Sequence, residues 1–161
     1  MEATMFHTQE NRPKKLDFPK LCQRADAWFG EAYYFWENKV DAEHWGETSK
    51  KGNYDIYSAL IRAEDNRILD TAFNRDHYEF LLKCLEKFAS FCIKKTGKKP
   101  TKAQICNYFN EKANWKKEID VLLACDYPCG PNELFPGFQY RKRIQAAVYN
   151  EAVINDFKLI K

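Results

Sequence analysis

The sequence predicts a mixed α+β domain, and three stretches carry that prediction. Residues 75–94 repeat apolar side chains at a helical interval, with Tyr78, Leu81, Leu82, Leu85, Phe88, Ala89, Cys92 and Ile93 on one face and Lys83, Glu86 and Lys87 on the other. Residues 54–62, YDIYSALIR, alternate with so little polar contrast that they read as a strand covered on both sides. Residues 28–45 gather three of the four tryptophans, two tyrosines and two phenylalanines around Gly30. Within them the uncharged run 32–36 has the composition of a strand buried on both faces.

In chain order, residues 4–8 are short and mixed and give way to Asn11, Arg12 and Pro13, which break regular structure. Leu21, Cys22, Ala25 and Trp28 recur at helical spacing, so a short helix is expected after Pro19. Gly30 marks a turn where a missing side chain lets backbone or ligand come close. Asn38 is placed to cap a short helix beginning near Val40, whose positive end suits Asp41 and Glu43. A polar turn, Lys50 to Asn53, precedes the strand 54–62, and a second short strand is expected at 67–70. Gly97 should stop the long helix, and Thr101 should cap a second helix that points Ala103, Ile105, Cys106, Phe109 and Ala113 inward. Both helices read as scaffold. Residues 119–125 suit another strand. Pro128, Gly130, Pro131, Pro136 and Gly137 then make the least regular stretch of the chain, of a length that in compact domains often closes over a ligand. Two strands, 141–149 and 153–160, finish the chain with a turn at Asn150 and Glu151.

A chain of 161 residues suits one domain, 1–161, with the helices forming an insertion at about 74–116. Aromatic residues make up 16% of the chain, more than a small core needs, which leaves open an aromatic core and a ring-lined pocket or partner surface. A formal charge of +3 announces no general binder of polyanions. The local exception, Lys94, Lys95, Lys98, Lys99 and Lys102, reads either as a solvated helix end or as a phosphate-facing patch. Of the six cysteines, Cys22, Cys84, Cys92, Cys106, Cys125 and Cys129, two fall on the apolar face of the long helix. No histidine pair follows Cys125 and Cys129 at finger spacing, so no metal is expected. The N terminus has no apolar core of the kind a signal peptide needs, and no stretch approaches a membrane span. A cytoplasmic protein with reduced thiols is the expectation. There is no Gly-rich phosphate loop, His-pair metal motif or nucleophile elbow.

The run from Gly30 to Asn38, GEAYYFWEN, resembles the G-x-G-x-Y-F-W-E-N segment of a group of bacterial proteins related to the ADP-ribosyltransferase superfamily. Met5, Phe6, His7, Thr8 and Gln9 are similar to the family's early Y-H-G-T strand. Ile144 to Val148 resemble its late strand, Leu134 to Phe138 its L-Y-P-G-x-G loop, and Asn150 to Lys161 its C-terminal ending. The segment 18–28 departs from the family pattern, and the middle of the chain matches only in order and length. The resemblance implies an α+β fold in which a split pair of small antiparallel sheets forms a cleft, with a helical insertion. It also implies NAD as substrate, no metal, and transfer of ADP-ribose to a macromolecular acceptor, protein or nucleic acid. Toxin or phage-defence use, with an antitoxin-type partner, is in keeping with it.

The resemblance further implies the site. His7, Tyr34 and Gln145 stand at the family's His, Tyr and acidic positions. His7 would bond a ribose hydroxyl, Thr8 would make backbone or adenosine-side contacts, and Tyr34 would stack on nicotinamide while Gly30 and Ala32 permit close approach. Gln145 is an amide where better-known members have a carboxylate, so it can accept a hydrogen bond but brings no charge to a developing cation. Glu37 and Glu133 are alternative carboxylates. A slow transferase and an inactive relative that binds nucleotide, nucleic acid or protein are both compatible with this substitution.

Overall fold

A computed structural model describes residues 1–112, 115–126, 133–135, 138–139 and 142–161, with 112, 133–135 and 138–139 described as backbone only. Seven strands form one sheet: β1 (Glu2–Glu10), β2 (Tyr33–Trp36), β3 (Tyr54–Arg62), β4 (Ile68–Asp70), β5 (Val121–Asp126), β8 (Arg143–Val148) and β9 (Ile154–Leu159). A separate two-stranded ladder joins β6 (Glu133–Phe135) to β7 (Phe138–Gln139). The helices are α1 (Lys39–Ser49), α2 (Arg75–Thr96), α3 (Lys102–Asn107), which runs on into a π turn over Tyr108–Lys112, and α4 (Trp115–Glu118).

The strand order is β4-β5-β8-β2-β1-β3-β9, antiparallel throughout except for β4 beside β5. This is one sheet where two small ones were expected, yet its two halves are unequally joined. β2 pairs with β8 over four residues, Tyr33↔Val148 to Trp36↔Gln145, and β1 pairs with β3 over nine, Glu2↔Arg62 to Glu10↔Tyr54. Between the halves, β1 and β2 share the single pair Phe6↔Trp36.

Side-chain alternation assigns each half its cover. On one face Met5, Phe35, Ala59, Ile61, Val121, Ala146 and Val148 make the central cluster, with Phe35 and Ile61 fully buried. On the opposite face the four-stranded half packs Ala32, Leu122, Ala124 and Ala147 against Leu81 of α2, Phe109 and Trp115. The three-stranded half packs Ile56 and Tyr54, joined by Trp36 from the neighbouring β2, against Ala42 and Trp45 of α1. The cover of the three-stranded half thus reaches the seam, where α1 touches both Thr8 of β1 and Trp36 of β2.

Most elements begin and end where their residues dictate. Asn74 caps α2 by accepting from the N–H groups of Asp76 and His77, and Gly97, in the left-handed region at φ 72°, closes it. Thr101 and Gln104 form a reciprocal capping box on α3. Asn38 occupies the cap position of α1 with extended backbone but makes no side-chain capping bond.

Three expectations need correction. Residues 18–28 form no helix: the N–H of Cys22 bonds Ala32, Ala27 turns back onto Arg24, and Leu21 and Trp28 remain 40% and 56% exposed. Helical spacing over so few residues, with Pro19 at its start, cannot nucleate a helix without a packed face. Part of the stretch read as irregular is the β6–β7 hairpin, while Pro128, Cys129, Gly130, Pro131, Pro136 and Gly137 lie outside the described residues. The long helix buries less than its pattern suggests, because Tyr78, Leu82, Phe91 and Ile93 are exposed while Leu81 and Cys92 are buried.

Candidate functional site

Beyond the pair Phe6↔Trp36 the strands β1 and β2 diverge, and their unpaired backbone needs other partners. His7 supplies one. Its Nδ1 lies 2.9 Å from the carbonyl oxygen of Tyr34, an oxygen that β1 would have satisfied had the ladder continued. A carbonyl only accepts, so Nδ1 carries the proton and Nε2 keeps its lone pair. Nε2 is buried and meets no hydrogen-bond partner within 3.5 Å among the described residues. Burial lowers the His7 pKa, and Lys50 adds a smaller push in the same direction, against raising contributions from Tyr34 and Gln9. The imidazole is thus oriented by the Tyr34 carbonyl and disfavoured as a cation by its burial.

A cavity of about 530 Å³ opens at this parting of the strands. His7, Thr8, Tyr34, Trp36 and Gln145 contribute to its wall from the sheet, Trp45 and Lys50 from α1 and its end, Lys102 from α3, and Leu21 to Trp28 from the loop that had read as a helix. Four of the residues assigned by resemblance, His7, Thr8, Tyr34 and Gln145, spread over more than a hundred positions of the chain, therefore line one hollow. Its volume lies in the range of roughly 300–1,000 Å³ usual for small-molecule sites.

Each side chain is held differently. The Tyr34 hydroxyl donates to Gly30 O at 2.8 Å and accepts from the Phe29 N–H at 3.1 Å, and burial pushes its pKa far above the ordinary tyrosine range. With its hydroxyl engaged and protonated, Tyr34 offers the cavity its ring. The Thr8 hydroxyl donates to Ala42 O at 2.7 Å and ties β1 to α1. Gln145 stands opposite Trp36 on one side and Ala124 on the other, half-buried, and its amide makes no hydrogen bond among the described residues. Behind Trp36, Arg143 lies with its guanidinium 4.7 Å from the indole centroid and 3.4 Å from Asp41, a buried arrangement that stiffens the wall.

Gly30 and Ala32 do not reach the cavity. A Cβ at Gly30, where φ is 78°, would collide with Oδ1 of Asn110, which accepts the Glu31 N–H at 2.7 Å. The space left by that glycine is filled from the helical insertion, so it is not open for a ligand. Ala32 is fully buried against Leu122 and Phe109. Glu37 is exposed and away from the cavity, and the Glu133 side chain lies outside the described residues.

The cavity wall is basic. Arg12, Lys20, Arg24, Lys50 and Lys102 face Glu10 and Asp26. Arg24 is held by Asp26 at 2.9 Å and Lys50 by Glu10, whose carboxyl the Lys50 contact holds below the usual range. Lys102 sits 5.4 Å from the Trp28 ring centroid, whereas Lys94, Lys95, Lys98 and Lys99 are simply exposed. Of the five lysines read as a helix end or a phosphate-facing patch only Lys102 lines the cavity, and sequence reasoning missed Trp28 and the loop 20–28 as its wall. The signal was available as apolar and basic residues mixed within one short segment beside Pro19.

Comparison with protein-family models, with curated proteins and with solved structures returns no match. Among the described residues no group of three or more His, Cys, Asp or Glu could hold a metal ion, and no helix is long and apolar enough to cross a membrane. The remaining histidine of clear role is structural: Nδ1 of His77 accepts the Asp70 N–H at 3.0 Å.

Proposed function

We propose that this chain is an ADP-ribosyltransferase-like protein that binds NAD in the cavity between the two halves of its sheet. The observation that carries the proposal is the convergence of His7, Tyr34 and Gln145 on one cavity, at the place where the sheet parts. The Tyr34 ring stacks on nicotinamide, the basic wall faces the pyrophosphate, and His7, whose Nε2 is buried, fixes the wall beside the ribose through its bond to the Tyr34 carbonyl. In the reaction the bond from ribose C1′ to nicotinamide breaks, and nicotinamide leaves with the bonding electron pair. A nucleophile of the acceptor then bonds C1′ and gives up its proton. The ribose carries positive charge in between, and Gln145 offers it a dipole in place of a carboxylate.

That substitution favours a second reading, a relative that binds NAD without turning it over. Incubation with NAD labelled in the nicotinamide ring separates the two. Release that disappears in His7→Ala and Tyr34→Ala supports transfer, and a rise in melting temperature with NAD but no release supports binding alone. Neither release nor stabilisation removes NAD from the account.

A further inference from the structure

We propose that the macromolecular partner of this site is a single-stranded nucleic acid, laid along a basic groove that runs into the cavity. The proposal rests on the cavity being a binding site, but its observations lie outside the His7–Tyr34 wall. A second hollow, about 580 Å³ and more open, adjoins the first and shares Arg12 and Lys20 with it. Lys14 and Lys15 add two more cations to its lining, and Asp17 is its acid.

These cations are not equivalent. Lys15 is held by both oxygens of Asp55 at 2.8 Å, and Arg12 leans on Glu10 at 3.7 Å. Lys14 and Lys20 are exposed and make no ion pair among the described residues. Lys20 lines both hollows and Lys14 the second, so a chain of phosphates passing from one to the other would release counterions from both. Trp28, 56% exposed, belongs to the first cavity's lining, with Lys102 at 5.4 Å from its ring centroid. An exposed flat ring beside a cation, in a hollow with a basic wall, is the combination that stacks an unpaired base while holding its backbone. An acidic peptide would use the cations but has no need of the ring. A duplex would need a basic face broader than this groove, and the chain's formal charge of only +3 argues against one.

The test is fluorescence anisotropy of the intact protein with an end-labelled single strand of about 12 nucleotides, a length within known site sizes. Tryptophan emission is followed in the same titration. Expected is saturable binding at about 0.1 M salt that weakens steadily as salt rises, with quenching of tryptophan emission. The double variant Lys14→Glu, Lys20→Glu should lose about tenfold or more in affinity, and Trp28→Leu should lose both affinity and most of the quench. All three side chains are exposed, so the fold is not at stake. No saturable binding, equal affinity for polyglutamate, or an unchanged double variant overturns the proposal. A melting-temperature series of the wild-type protein with NAD alone reads the cavity separately. Stabilisation by NAD without strand binding sinks the groove and spares the cavity, and strand binding without NAD stabilisation does the reverse.

Discussion

The two edges of β2 are built from the same four residues and behave oppositely. Toward β8 every residue is paired, and the side chains on that flank, Ala146, Ala147 and Val148, are fully buried. Toward β1 one pair forms, an imidazole stands in for the next rung, and a cavity follows. The cavity exists because pairing stops. The sheet stays whole across the gap because α1, through Thr8 and Trp36, and the central cluster, through Met5 and Phe35, hold the halves together.

The largest effect should come from breaking the shared core under both edges. Phe35→Ala empties a fully buried ring position and should cost about 3–5 kcal/mol, read as a lowered midpoint in urea unfolding. A variant that keeps its midpoint would mean that the cluster does not join the halves. His7→Ala tests the open edge. It leaves the Tyr34 carbonyl without its partner and should cost about 1–3 kcal/mol, toward the low end if cavity water reaches that oxygen.

Smaller again is Gln145→Leu, at a half-buried position without a bonded amide among the described residues, which should change stability by no more than about 0.5 kcal/mol. If its melting curve shifts strongly, Gln145 supports the wall. On the function proposed above, Gln145→Glu should raise nicotinamide release, and an equal or lower rate would assign the amide another task. The faintest signature is a pH slope. The folded pKa of His7 is lowered, so on acidification the unfolded chain takes up its proton first, near the ordinary value of about 6.5. The contribution of the neutral imidazole to stability is present above that pH and is lost as pH falls below it, toward the folded pKa. His7→Gln should flatten this acid limb in stability measured from pH 7.5 down to about 5.

Much of the fold was legible because local pattern and tertiary burial agreed. Strand 54–62 is buried along nearly its whole length and pairs on both sides, as its uniform apolar content implies. The long helix stops at Gly97 and the next starts at Thr101 because cap chemistry is local. Legibility failed where a residue answers to a distant one. Leu21, Cys22 and Trp28 kept a helical interval but serve as a wall, and the need for Gly30 is set by Asn110, eighty positions further on. Of the residues assigned by resemblance, His7, Thr8, Tyr34 and Gln145 do share the cavity, while Gly30 and Ala32 face the core behind it. Only the pairing between strands decides such a division, and one sequence does not specify it.

The helical excursion is not idle scaffold. The side-chain oxygen Oδ1 of Asn110 on the π turn accepts the Glu31 N–H, Phe109 packs beside Gly30, and the loop so anchored grips the Tyr34 hydroxyl. A version pared down to the strands and α1 would lose this clamp together with Lys102. Any attempt to graft the hollow onto a smaller host must therefore carry residues 75–112 along with it.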